Sequence, residues 1–341
     1  MKFYCLTTLR FLDIPKDTFQ IGDLFLTKSN EILFTSLPKE KIINQIGAIN
    51  ASNFFTTAVI AFKAIEIEIE IEQQNNPANK SVHLQNLAKM NEAIRNFSIE
   101  VKTITNSLWI IKDNSIFLDT CYLVPVDILL GCYLSNQESN SNSDGNFKTV
   151  IVSDNDFSNA AKYLKTIQDQ KDFGPLGTVI KEQNPEISYG GLSTSNYSAF
   201  NRINRVRIFI NLARSTNLII YKIAFYVNCL EALFSFKEQE IAYKVAQRVS
   251  FYLGGNKEEV KNNYTFIKDA YDLRSKFFHG DSLDKKFEND PTLLNKMSQN
   301  LDKLLRCILR KILENDIIIF NDKNPTQLQI FFNDLLFKFI S

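Results

Sequence analysis

The chain has 341 residues, of which 45% are hydrophobic, so it is long enough to bury a substantial core and to form two domains. Its formal net charge of +1 argues against a general polyanion binder. The charge is unevenly distributed, because the residues from Arg202 to the end hold 22 Lys and Arg against 16 Asp and Glu. A mildly basic C-terminal part suits a phosphate-bearing partner, although ordinary scatter in surface charge gives the same split.

The five cysteines are far apart and form no CxxC pair, and only two histidines could join them, so the sequence predicts no zinc site. We interpret them as reduced, buried thiols of a cytoplasmic protein that uses no metal or other cofactor. No uninterrupted apolar stretch reaches the ~20 residues of a membrane span. Residues 1–16 lack the cleavage pattern of a signal peptide. The sequence thus predicts a soluble chain with no membrane partner.

The pattern of the N-terminal half predicts a mixed α/β domain with two β-hairpins. One hairpin is predicted over residues 19–36 and the other over residues 108–118, each with a polar tip. Unbroken alternation of Ile and Glu over residues 64–72 predicts a strand with Ile on one face and Glu on the other. Four aligned glutamates without a nearby His or Asp favour a solvated sheet face over a metal site.

Two helices are predicted in the same half. Asp154 or Asp156 is placed to cap the second, which runs to about residue 168. His83 lies near the start of the first, where a surface or capping role outweighs a catalytic one. The apolar residues whose helical spacing predicts that first helix are Leu84, Leu87, Ile94 and Phe97.

Two polar segments interrupt this pattern. Residues 135–146 are nearly all Ser, Asn, Gln, Asp and Glu, which is typical of a flexible loop. Residues 169–196 contain two prolines and four glycines and are predicted to be a linker or irregular connection. The sequence therefore predicts two domains, residues 1–190 and residues 197–341.

The second domain has an almost purely helical pattern. Four or five helices with short connections predict an up-and-down bundle, so the predicted fold class is α+β, a mixed α/β domain followed by an all-helical one. The expected helices end at glycines or begin after a proline, as helix ends favour. They are predicted over residues 199–236, with a break near Ser215-Thr216, and over residues 239–253, 257–278 and 292–313.

The third helix of this domain holds a candidate site, the pair Arg274 and His279. Five residues at ~100° each put the two side chains about 140° apart on an ideal helix. They converge only if the last turn loosens at Gly280, or if both face a cleft shared with a second helix or a second subunit. The residues predicted to form the core-facing stripe of the same helix are Phe266, Ala270, Leu273 and Phe277.

Arginine and histidine are the residue types that RNA cleavage without a metal needs. Histidine moves the proton of the 2′-hydroxyl or of the leaving 5′-oxygen near neutral pH. Arginine is always charged and neutralises the extra charge of the phosphorane. At the C-terminus of a helix, the dipole favours a protonated histidine and hence an acid role. The spacing alone is a weak signal, because such a pair also arises by chance.

Three segments surround this pair in a fixed order: NCLEALF at 228–234, AYKVAQRV at 242–249 and YDLRSKFFHG at 271–280. Together they resemble the Apea-like branch of the HEPN superfamily over about residues 200–315. The resemblance implies a helical bundle that dimerises, so that the R-x4–6-H motifs of two subunits meet at one composite site. It implies that Arg274 and His279 are catalytic residues of a metal-independent endoribonuclease. RNA would be cut to 2′,3′-cyclic phosphate and 5′-hydroxyl ends, in phage defence or a toxin-type stress response.

Further residues are candidates to support this site or to bind its substrate. Glu231 lies in an apolar stretch and is expected either to orient the catalytic arginine or to pair with Arg248, and a purely structural salt bridge is the alternative. Lys244 and Arg248 share a helix face that points to RNA phosphates or to solvent. Ser275 occupies a position where the superfamily often has Asn, Asp or His, and Asp281 follows the site helix. A second basic patch with the same two interpretations contains Arg202, Arg205 and Arg207.

The sequence leaves three functions open. The first is an endoribonuclease whose N-terminal domain recognises a trigger, such as a phage product or a nucleotide, although no glycine-rich phosphate loop identifies that ligand. The second is a non-catalytic RNA- or protein-binding dimerisation module, and the third is a scaffold. Inactive HEPN members typically lack the Arg or the His, so the presence of both residues favours the first function.

Overall fold

The computed structural model of the chain describes residues 1–56, 59–70, 79–126, 131–135, 139–169, 201–322 and 324–340. These residues form two compact units, of which the first takes Met1–Asn140 and Phe147–Leu164 and the second takes Ser141–Asn146 and Lys165–Ser341. The first unit is built on an antiparallel sheet and the second is helical, so the fold class is α+β. The predicted linker lies outside the described residues, apart from residue 169.

A central strand, β1, organises the sheet of the first unit. The strand order is β3-β4-β5-β1-β7-β8, β6 also pairs with β1, and every one of these pairings is antiparallel. Seven of the nine residues of β1 are buried, as expected for an apolar strand covered on both faces. A separate parallel pair joins β2 to β9. The strands are β1 (Lys2–Arg10), β2 (Leu12–Asp13), β3 (Thr18–Ile21), β4 (Leu24–Thr27), β5 (Val59–Glu66), β6 (Phe117–Leu118), β7 (Cys121–Pro125), β8 (Cys132–Leu134) and β9 (Val150–Ile151).

Helices cover both faces of this sheet. Successive residues of β1 point to opposite faces, so Phe3 and Cys5 belong to one core cluster while Tyr4 and Leu6 belong to the other. The first cluster is completed by the last two helices of the unit and the second by the first three. The helices are α1 (Asn30–Ser36), α2 (Lys39–Ile46), α3 (Ala48–Thr56), α4 (Asn79–Ile111) and α5 (Asp154–Asp169).

Both predicted hairpins are wrong in position. The observed hairpin is β3–β4, which turns at Gly22-Asp23 with Gly22 at φ +59°, and residues 31–35 form part of α1 instead of a strand. Residues 108–111 are the last turn of α4, a helix of 33 residues. Short apolar runs do not distinguish a buried strand from a buried helix face, which is why the two were confused.

The predicted alternation of Ile and Glu is confirmed up to residue 70, and the remaining residues 71 and 72 lie outside the described part. The strand itself, β5, begins five residues earlier than predicted, at Val59, and ends at Glu66. Within the described residues, no group of three or more His, Cys, Asp or Glu side chains is arranged to hold a metal ion. The residues on the core side are Ile65, Ile67 and Ile69, and those exposed to solvent are Glu66, Glu68 and Glu70.

The two predicted helices of the first unit are present, with corrections to their details. The cap of α5 is Ser153, whose hydroxyl accepts from the Asp156 amide at 3.2 Å, while the Asp156 carboxylate accepts from the Ser153 amide at 3.0 Å. On α4, Ile94 and Phe97 are buried as predicted, but Leu87 is 37% exposed. His83 is exposed, in agreement with a surface position.

The cysteines are all free thiols, but not all of them are buried. Cys132 is half-buried and Cys307 is exposed, whereas the other three lie in the core. Burial raises the pKa of the Cys121 thiol to about 11, so this thiol is protonated at neutral pH. The predicted burial is confirmed for three of the five thiols.

The second unit contains more helices than predicted. The break near Ser215-Thr216 is confirmed, and helices end before Gly254 and Gly280, both of which have positive φ. The prediction stopped near residue 313 and missed the last two helices. The elements are α6 (Arg202–Ser215), α7 (Ile219–Phe234), α8 (Ile241–Leu253), α9 (Lys257–His279), α10 (Lys285–Asn289), α11 (Thr292–Lys311), a π-helical turn (Ile312–Asp316), α12 (Ile317–Asn321) and α13 (Pro325–Ile340).

Part of the segment predicted as a flexible loop, Ser141–Asn146, is instead packed into the second unit. Ser141 and Ser143 are only 2% and 4% exposed. The Ser141 amide donates to the Arg214 carbonyl at 2.7 Å, and its hydroxyl donates to the Thr216 carbonyl at 2.6 Å. The polar side chain of Ser141 can be buried here because carbonyls at the end of α6 accept its hydrogen bonds.

None of the helices in the described part of the chain is long and apolar enough to cross a bilayer.

Candidate active site

Arg274 is held between two helices of the second unit, α9 and α7. Its Nη1 donates to Glu231 Oε1 at 3.3 Å, and its Nη2 donates to Asn228 Oδ1 at 3.1 Å. Asn228 and Glu231 are three residues apart on α7 and therefore share one face of that helix. The side chains of Arg274 and Glu231 are 31% and 27% exposed. Glu231 thus contacts Arg274, the first of the two partners expected for it.

Tyr271 completes the buried side of this cluster. It precedes Arg274 by one turn of α9 and is only 5% exposed. Among the described residues, neither the Tyr271 hydroxyl nor the Arg274 Nε forms a hydrogen bond of regular geometry. Burial raises the pKa of Tyr271, as do the negative charge of Glu231 and its side-chain contact with the hydroxyl, whereas Arg274 lowers it. The phenol is therefore protonated at neutral pH and is available as a hydrogen-bond donor.

His279 is the last residue of α9, and its side chain is exposed. The helix ends in a closed turn, because Gly280 has a φ of +78° and the Asp281 amide donates to the Lys276 carbonyl at 2.9 Å. The last turn is therefore not loosened, and the separation of about 140° expected on a regular helix applies. Arg274 donates to Glu231 and Asn228 on α7 and not to His279, in agreement with side chains that point in different directions from a regular helix.

Aromatic rings lie beside the guanidinium. The Phe278 ring centroid is 5.6 Å from Arg274 Cζ, within cation–π range, and Phe278 is 55% exposed. Phe278 packs edge-on against Phe277 at 5.4 Å, and Phe277 packs edge-on against Tyr221 at 5.3 Å. Arg274 therefore has fixed neighbours on α7 and on its own helix.

The predicted core stripe of α9 is partly correct. Ala270 and Leu273 are buried, whereas Phe266 and Phe277 are only half-buried. The other two buried side chains of α9 are Ile267 and Tyr271.

Lys244 and Arg248 both contact Glu238. Arg248 Nη2 donates to Glu238 Oε2 at 3.0 Å, and Lys244 Nζ lies 3.4 Å from the same oxygen. Although burial opposes it, the hydrogen bond from Arg248 lowers the pKa of Glu238. The Arg248 guanidinium also lies 4.7 Å from the Phe236 ring centroid. Arg248 therefore pairs with Glu238 instead of Glu231, and both Lys244 and Arg248 are engaged by a carboxylate that the sequence did not indicate.

Arg202 caps the C-terminal end of α7. Its Nη1 donates to the carbonyls of Ala232, Leu233 and Ser235 at 3.0, 3.2 and 2.8 Å. Burial, with the nearby arginines as a smaller cause, lowers the pKa of Arg202 to about 10. Arg205 on the same helix is exposed. Of these two arginines of α6, Arg202 is therefore engaged in capping α7, whereas Arg205 is exposed.

Replacing Arg202 by alanine is expected to lower the free energy of unfolding by about 2–3 kcal/mol, because three carbonyls at the end of α7 lose their common donor. Arg205→Ala is the matched control, and its exposed side chain predicts a change below about 0.5 kcal/mol. Urea denaturation followed by circular dichroism measures both. Equal effects of the two variants would contradict the capping role of Arg202.

The remaining candidates, Ser275 and Asp281, have exposed side chains and are not partners of Arg274. The sequence did not indicate Asn228 or Tyr271 as members of the site. Their signal was spacing alone, since each lies three residues from a site residue on the same helix.

Comparisons with protein-family models, with curated proteins and with solved structures gave no match to this chain. The site is therefore interpreted from its own chemistry. It combines the Arg274 guanidinium, held by two polar partners, with the exposed His279 imidazole at the C-terminal end of α9. These groups are suited to binding a phosphodiester and to transferring a proton.

Proposed function

We propose that the helical unit is a metal-independent endoribonuclease of the HEPN type, which cleaves RNA to 2′,3′-cyclic phosphate and 5′-hydroxyl ends. The observation that carries this proposal is the fixed position of Arg274, held by Asn228 and Glu231 five residues before an exposed histidine. A guanidinium held on two sides loses little freedom when a phosphate arrives, which favours transition-state stabilisation.

In this proposal Arg274 and His279 have separate roles. Arg274 neutralises the charge that develops on the phosphorane. His279 transfers protons between the 2′-hydroxyl, the leaving 5′-oxygen and solvent, for which its exposed position at the end of α9 is suited. No step in this scheme requires a metal ion.

The geometry of α9 supports a site built from two copies of the chain. Arg274 faces α7 and His279 is exposed, so the two side chains of one chain diverge. In a symmetric dimer, the same patch of each subunit meets its copy, which places two arginines and two histidines around one cleft. The proposed active form is therefore a homodimer with a composite site.

The biological role proposed for this activity is phage defence or a toxin-type stress response in the cytoplasm, where RNA is the target. We assign the first unit to the recognition of a trigger that releases the activity.

The second candidate function is a non-catalytic RNA- or protein-binding dimer. The ion pair of Arg274 with Glu231 favours it, because the pair already neutralises the arginine.

Incubation of the purified protein with mixed RNAs in EDTA tests the proposal. The expected fragments carry 2′,3′-cyclic phosphate ends and 5′-hydroxyl ends. A polynucleotide kinase that lacks 3′-phosphatase activity labels such 5′-hydroxyl ends directly. Labelling that requires prior phosphatase treatment would indicate other chemistry. Binding of RNA without cleavage, across protein concentrations that populate the dimer, would favour the second candidate function.

A further inference from the structure

Tyr271 has a buried hydroxyl that forms no hydrogen bond of regular geometry. The side chain is 5% exposed, and its oxygen meets the geometry of a hydrogen bond with none of the described residues. The large majority of buried hydroxyl groups in proteins form a hydrogen bond, since a buried polar group without one destabilises the fold. A phenylalanine would pack in the same place without leaving a buried oxygen lacking a formed hydrogen bond. We therefore expect the hydroxyl to have a role other than stabilising the resting structure.

The nearest negative charge is the Glu231 carboxylate. It raises the pKa of Tyr271 through its charge and through a side-chain contact with the hydroxyl, but this contact does not have the geometry of a formed hydrogen bond. Glu231 instead contacts Arg274 through one oxygen, at 3.3 Å. Charge-assisted hydrogen bonds of guanidinium to carboxylate usually measure about 2.7–2.9 Å and are often bidentate. The ion pair is therefore a loose, one-point contact.

Arg274 does not depend on Glu231 alone for its position. Asn228 accepts from Nη2 at 3.1 Å, and the Phe278 ring lies beside the guanidinium. Asn228 is neutral, so it fixes the guanidinium without cancelling its charge. If Glu231 turned away, Arg274 would keep its place and direct its full positive charge at a phosphate.

We infer that Tyr271 is a positioning residue whose hydroxyl donates a hydrogen bond to Glu231 when Arg274 engages the reacting phosphate. In the resting state Glu231 is bound to Arg274, and its contact with the phenol is not a formed hydrogen bond. As charge develops on the phosphorane, the Arg274 guanidinium donates to it in place of Glu231, and the Glu231 carboxylate accepts a hydrogen bond from the Tyr271 hydroxyl. The inference rests on the proposed function and names two states of the same site.

Tyr271→Phe tests this inference, because it removes only the hydroxyl. In the full-length chain, kcat for RNA cleavage is expected to fall about tenfold, the loss of one hydrogen bond to a charged group. KM is expected to stay within about twofold, because the exchange occurs only as the transition state forms. The melting temperature is expected to stay equal or to rise, since the resting state makes no use of the hydroxyl.

Tyr252→Phe is the matched control. Tyr252 is 1% exposed, but its hydroxyl donates to Asp316 Oδ2 at 2.7 Å. This variant is expected to lose about 2–4 °C in melting temperature and to keep the kcat of the wild type. The two tyrosines should therefore show opposite effects on stability and on rate.

Three outcomes decide between the possibilities. If the wild type cleaves RNA and Tyr271→Phe has the same kcat, the inference is overturned while the proposed function stands. If the melting temperature of Tyr271→Phe falls as much as that of the control, the hydroxyl stabilises the fold, and the inference is also overturned. A wild type that does not cleave RNA overturns the proposed function and this inference with it.

Discussion

Replacing His279 by alanine is expected to lower the rate of RNA cleavage by about 10²–10⁴-fold, the usual contribution of a general acid or base. The fold should be unaffected, because the His279 side chain is exposed at the end of α9. The free energy of unfolding is therefore expected to stay within about 0.5 kcal/mol of the wild type. Single-turnover cleavage of a 5′-labelled RNA in EDTA, together with urea denaturation, measures both quantities.

His83 provides the matched control for this variant. It is the other histidine of the chain, it lies on α4 of the first unit, and it is also exposed. His83→Ala is expected to cleave RNA at the rate of the wild type. Added imidazole is expected to restore part of the activity of His279→Ala, since the end of α9 is open to solvent. A rate for His279→Ala within threefold of the wild type would exclude an acid or base role.

The ends of α8 and α9 in the second unit could be predicted well because they carry strong local signals. Gly254 and Gly280 adopt positive φ, and Asn256 opens α9 with a capping box that Glu259 completes. The first unit was harder to predict. Its long helix α4 ends in an apolar run that also fits a strand, and only the contacts with the sheet distinguish the two.

The site could be predicted in part for a related reason. Glu231 was recognised because a charged residue in an apolar stretch requires a partner, and Arg274 is that partner. Arg248 was expected to face RNA phosphates or solvent, or to pair with Glu231, because sequence spacing does not show which carboxylate is nearest in space. Glu238, ten residues before it, binds it instead. Long-range pairs of this kind depend on how helices pack and are not encoded in local spacing.

Replacing Arg274 by alanine is expected to lower the cleavage rate by about 10²–10³-fold, the effect of removing one group that stabilises charge in the transition state. Arg274→Lys should recover little of this loss, because an ammonium group cannot reach both Asn228 and the phosphate with a forked geometry. Lys268→Ala, an exposed cation on the same helix, is the control and is expected to cleave normally. Equal rates for the Arg274 variants and the control would exclude a catalytic role for Arg274.

Mixing Arg274→Ala with His279→Ala subunits tests where the complete site lies. In a mixed dimer, one chain provides Arg274 and the other provides His279, so a composite cleft again contains one group of each kind. The mixture is expected to cleave RNA faster than the sum of the two variants measured separately. Because the two side chains of one chain diverge along a regular α9, this recovery follows from the helix geometry itself. If each chain held its own site, the mixture would contain no complete site, and its rate would equal the sum of the separate rates.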